Sequence, residues 1–166
     1  MANKQSFTPE EWAKITESVM LAGVAVTAAD PSGLIGTMKE AFASGSALMA
    51  AKTDTGASEL VKALVADFET AEGRTAMRDG LKARFQGAKP AEITQRSIDA
   101  LAEVSTIIDA KAPGEAAAFK TWLHGISTKV AEAAKEGGFL GFGGVRVSDA
   151  EKATVDQVGK ALRLTA

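Results

Sequence analysis

The stretch TPEEWAKITESVMLAGVAVTAAD, Thr8 to Asp30, decides the fold. It opens with threonine, proline and two glutamates. Thr8 is set as an N-cap, Pro9 as the first helical residue and Glu11 as the reciprocal half of a capping box. Proline costs nothing at that position, because the N–H it lacks has no partner in a first turn. Apolar residues follow at Trp12, Ile15, Val19, Met20, Val24 and Val26. The second half, VMLAGVAVTAA, is apolar nearly all round, and a helix without a polar face is normally central and buried. Ala22, Gly23 and Ala25 would let neighbouring helices come close. Asp30-Pro31 closes the segment, since the residue before proline disfavours helix.

A chain built around such a helix needs partners, and the remaining sequence supplies them. A second helix is expected from Ser32, with Leu34, Ile35, Met38, Phe42, Leu48 and Met49 as its apolar set. Ser58 or Thr55 caps a third, whose Leu60, Val61, Leu64, Val65 and Phe68 form one helical stripe. Glu72-Gly73 is read as its interruption, before a short amphipathic segment carrying Met77, Leu81 and Phe85. Pro90 opens a helix with Ile93, Ile98, Leu101, Val104, Ile107 and Ile108. Lys111-Ala112-Pro113-Gly114 breaks it. The next helix is expected to run to about Glu136, with Phe119, Trp122, Leu123, Ile126 and Val130. Ser148-Asp149-Ala150-Glu151 is a second capping box, and Val155, Val158 and Leu162 line the last helix. No strand competes with these. The expectation is all-α: one domain over residues 1–166, an antiparallel bundle of about six or seven helices, with residues 1–7 as a flexible N-terminus.

Composition agrees with a helical protein built at close range. The chain has 166 residues, 46% of them hydrophobic, 5% aromatic and none tyrosine. About a fifth are alanine, the best helix former and a small one. A net charge of -2 gives no basic excess for nucleic acid. Cysteine is absent, which removes disulfides and thiolate chemistry and suits a reducing cytoplasm. No apolar run approaches the ~20 residues that a membrane-spanning helix needs. The N-terminus has no signal-peptide core. The reading is a soluble cytoplasmic protein without an integral membrane segment.

Chemistry-bearing constellations are scarce. A di-iron bundle site needs two Glu-x-x-His motifs. The one histidine, His124, has threonine three residues before it. No metal and no cofactor is expected. Asp99 and Glu103 stand four apart, which is the spacing of a solvated helix face as much as of a cation site. His124 follows Trp122 and Leu123 closely and could serve a ligand or partner. The plainer reading is a structural histidine at the bundle's edge. Phosphate-loop and dinucleotide motifs are absent.

The stretch KEGGFLGFGG, Lys135 to Gly144, sets Phe139, Leu140 and Phe142 among five glycines. Three large apolar side chains exceed what an interhelix turn requires. They plug this bundle or touch a partner. Together with VAEAA before it and VRVSDAEK after it, the stretch resembles the C-terminal segment of a group of small uncharacterised bacterial all-helical proteins. The resemblance is specific over about residues 129–158. It implies a bacterial origin and an all-helical fold, and it brings no activity and no functional residues.

The expected function is therefore non-catalytic: protein–protein interaction or self-association, as in a homodimer. Phe139, Leu140, Phe142, His124 and Trp122 are the candidate contact residues. The alternative is a module for a small apolar or amphipathic ligand held between helices. An enzyme ranks third and would rest on Asp67, Asp99, Glu103 or Asp109.

Overall fold

The computed structural model describes residues 1–29, 36–133 and 147–164. Seven α-helices follow in order: α1 (Pro9–Thr27), α2 (Gly36–Thr53), α3 (Glu59–Glu69), α4 (Ala71–Phe85), α5 (Pro90–Lys111), α6 (Pro113–Ala133) and α7 (Asp149–Ala161). Among the described residues there is no strand, and none of the helices is long and apolar enough to cross a membrane.

α1 lies at the centre. It touches α2, α4, α5, α6 and α7, and most extensively α5. The all-round apolar half is the reason: Val19, Leu21, Ala22, Ala25 and Val26 are all fully buried. The capping box forms as the sequence dictates, with the Glu11 backbone N–H donating to the Thr8 hydroxyl and the Thr8 N–H to the Glu11 carboxylate. The hydroxyl side chains that α1 buries are satisfied within the helix. Thr16, Ser18 and Thr27 each donate a hydroxyl proton to a carbonyl three or four residues back.

Cross-chain bonds fix the helix directions. Glu11 pairs with Lys111, and Lys14 with Glu103, so α5 runs antiparallel to α1. Lys120 pairs with Asp109 across the α5–α6 turn, which makes those two an antiparallel hairpin. Ser127 donates to the carbonyl of Ala22 over 2.7 Å, bringing α6 against the small-residue part of α1. Ser105 donates to the carbonyl of Leu162, seating the end of α7 on α5. Between these helices the core is filled by Ile15, Leu101, Ile108, Phe119, Leu123 and Ile126, all at 1% exposure or less.

Three local expectations change. The break between the third and fourth helices falls at Thr70, not at Glu72-Gly73. Thr70 ends α3 and caps α4, accepting the Gly73 N–H at 2.9 Å and donating to the Asp67 carbonyl at 2.7 Å. Gly73 sits inside the first turn of α4. Met49, read as part of the apolar set of α2, is 66% exposed. Ala47 and Ala51, four apart, take the inward face, and Met49 is two residues, about 200°, away from either. Ahead of α1, where a flexible arm was expected, Lys4–Ser6 form a 3-10 turn and Ala2 and Phe7 are buried. The expected starts at Ser32 and ends at Glu136 fall outside the described residues.

Candidate functional site

α6 carries both described candidates, and its geometry separates them. Trp122 and His124 are two residues apart, about 200° around the helix axis. They face different neighbours. Trp122 is half-buried, its ring 6.0 Å from that of Phe119. It walls a recess of about 360 Å³ between the end of α2, the start of α3 and α6. Alanines 47, 50, 51, 57 and 118 and Val61 form its apolar part. Short side chains on three converging helices leave this space. Its polar margin is Asp54, whose carboxylate accepts the Gly56 N–H, and Lys129.

His124 turns to α7. It lies against Gly159, where an added Cβ would stand 3.3 Å from its Nε2. Thr128 and Ala131 continue that face of α6 towards the start of α7. There a second recess, about 500 Å³, is lined by Thr128, Ala131, Val147 and Val155, with Glu132, Lys152 and Asp156 around it. Ala131 and Val147 are buried. This recess is bounded by the residues on which the stretch 134–146 begins and ends. Phe139, Leu140 and Phe142 lie outside the described residues.

The carboxylates named for catalysis are each committed elsewhere. Asp67 accepts the Trp12 indole N–H at 2.8 Å and pairs with Lys4 at 2.7 Å. Asp109 pairs with Lys120, which is buried, and with Arg163. Glu103 pairs with Lys14, and Asp99 accepts from Gln95. Among the described residues no group of three or more His, Asp or Glu is placed to hold a metal ion.

Two side chains that the sequence reading passed over organise the molecule more than any of these. Glu115, in the first turn of α6, accepts the Ala2 N–H at 2.6 Å and the Leu60 N–H at 2.7 Å. One carboxylate thus ties the chain's beginning and the start of α3 to α6, beside a recess of about 630 Å³. Its first-turn position was a visible signal, but its distant donors were not. Burial pushes the Glu115 carboxyl up. The two backbone N–H groups, the N-terminal charge and the Ser58 hydroxyl outweigh that and hold it below its ordinary value of 4.5. Glu11 is lowered too, first by its bond from Lys111.

The sign follows from linkage: a carboxyl whose folded value is depressed stabilises the fold above its unfolded value and loses that contribution as pH falls through the folded one. Stability should therefore decline as pH drops below the ordinary carboxyl value of 4.5. Glu115→Gln should flatten the decline, read as the urea midpoint against pH. An unchanged pH slope in that variant would refute the role. The second passed-over residue is Glu17, a buried acid on α1 that receives the Arg84 guanidinium of α4.

Comparison with protein-family models, with curated protein sequences and with solved structures finds no match for this chain.

Proposed function

We propose that the protein is a non-catalytic helical bundle that works through protein–protein interaction or self-association. One observation carries the reading. Four of the described acids stand singly, and each closes one helix onto another or onto a helix end: Glu11 with Lys111, Glu17 with Arg84, Asp109 with Lys120, Glu115 with two backbone N–H groups. A general acid or base must be held within reach of a reacting group, and these are held to the scaffold. We read the setting as a bacterial cytoplasm, supported by the absence of cysteine and by the likeness of residues 129–158 to small bacterial helical proteins. Phe139, Leu140, Phe142, His124 and Trp122 are the contact residues of this reading.

Sedimentation velocity over a wide concentration range tests it. The expected result is a concentration-dependent dimer that Phe139→Ala with Phe142→Ala weakens while Tm is unchanged. A lowered Tm with unchanged association would assign these residues to the bundle itself and remove them as a contact. A monomer at every concentration would remove self-association.

A second reading is favoured by the alanine-lined recess beside Trp122: a small apolar ligand could sit there. Trp12 is 4% exposed and Trp122 half-buried, so a ligand in the recess should shift emission from Trp122. An apolar probe that leaves the emission of wild type and of Trp122→Phe equally unchanged would dismiss it.

A further inference from the structure

α4 is attached differently from the other helices. Among the described residues it is the one helix with no buried apolar side chain; Gly73 is its only buried residue. Met77, Leu81 and Phe85, its apolar stripe, are each half-buried, Leu81 and Phe85 packed against the edge of the core. Three guanidinium groups hold it instead. Arg74 donates to the carbonyls of Phe68 and Glu69 at the end of α3, at 3.0 and 2.8 Å. Arg84 grips one oxygen of Glu17 with Nε at 3.0 Å and Nη2 at 2.8 Å. Arg96, from α5, donates to the carbonyl of Arg84 at 2.8 Å. The Glu17 side chain is 9% exposed and that of Arg84 25%. Gly80 makes this pair possible, because a Cβ there would lie 2.1 Å from Glu17 Oε1.

Both ends of α4 are short junctions. At one end Thr70 alone separates it from α3. At the other, Gly87 takes φ +71°, a left-handed backbone that suits glycine. The fully buried core comes from α1, α3, α5, α6 and α7, none of it from α4.

We propose that α4 is a releasable strap: it swings out as a unit on Thr70 and Gly87 when its arginine contacts open, while the core behind it stays folded. Opening bares the Glu17 carboxylate and the part of the core surface against which Leu81 and Phe85 pack. The physical basis is that a segment with few buried apolar contacts opens at a free energy below that of global unfolding. The inference does not depend on what the protein binds.

Hydrogen exchange on the full-length chain, followed by mass spectrometry at neutral pH, tests it. Amides of α4 should exchange roughly a hundredfold faster than those in the middle of α1 and α5, as expected of a sub-global opening. Glu17→Gln should speed α4 about tenfold further without changing the ratio of α5 to α6. Wild-type α4 amides that exchange only with global unfolding, at the rate and denaturant slope of α5, would overturn the proposal whatever the variant does.

Discussion

Phe119→Ala is expected to cost about 3–5 kcal/mol, the range for removing a fully buried aromatic ring. Phe119 is 0% exposed and, among the described residues, is the largest side chain buried so completely. It sits on α6, which packs against α1, α2, α3, α5 and α7. The surroundings are closed on several sides, so the hole left by the ring cannot be filled by a single neighbour's shift. Its contact with Trp122 adds a consequence that a generic core deletion lacks. The Trp122 ring rests 6.0 Å from the Phe119 ring, so truncation frees the tryptophan as well as emptying the core. For a chain of this length, 1 kcal/mol moves Tm by roughly 2–4 °C, and a fall on the order of 10 °C should be seen by calorimetry. Trp122 emission should move to longer wavelength in the folded variant. A loss under about 1 kcal/mol would mean that α6 is not the wall of the core described above.

The contrast between Phe119 and Met49 shows which part of the fold the sequence carries. Phe119 repeats with Leu123 and Ile126 at helical spacing, and all three are buried. Met49 sits in a helix whose described inward face is alanine. There hydrophobicity does not distinguish inside from outside, because the small residues were chosen for fit. Helix starts were legible at Thr8, Ser58 and Ser148, where the cap is a local bond between residues three apart. Thr70 escaped because it stands in an unbroken run of helix formers, and its cap partner, Gly73, reads as a breaker.

The candidate site was legible in a different measure. Trp122 and His124 were adjacent enough in sequence to be paired, yet helical geometry places them against separate neighbours. The contacts that hold the molecule together, Glu17 with Arg84 and Glu115 with Ala2 and Leu60, join residues 55 to 113 positions apart. No local pattern encodes such a pairing. A buried acid such as Glu17 also interrupts the apolar pattern of α1 without announcing what neutralises it. Its partner lies on α4, the least apolar-packed helix, so charge does there what side-chain burial does elsewhere. A buried ion pair is weak support for stability but costly to break from one side. That asymmetry suits a contact that fixes where α4 lies more than how firmly it is held.

Gly73→Ala should destabilise the protein by about 2–3 kcal/mol, as overpacking does, although glycine-to-alanine in a helix ordinarily gains roughly 0.5–1 kcal/mol. The sign is reversed by one contact. A Cβ on Gly73 would stand 2.2 Å from the Asp67 carbonyl oxygen and 2.9 Å from its carbon. Both are backbone atoms at the end of α3, so no side chain can rotate away. The same carbonyl accepts the Thr70 hydroxyl, and Thr70 caps Gly73 in turn. Relieving the clash therefore means opening the turn between α3 and α4 and giving up the cap. Asp67 also holds Trp12 and Lys4, so displacement there reaches α1. Gly125→Ala is the control. It lies within α6 with nothing within 4 Å of an added Cβ, so the ordinary gain of roughly 0.5–1 kcal/mol should appear undiminished. Urea unfolding of the two variants should give midpoints on opposite sides of wild type. If Gly73→Ala were neutral or stabilising, Thr70 would not be the junction of α3 and α4, and the pivot at that end of the strap would be lost with it.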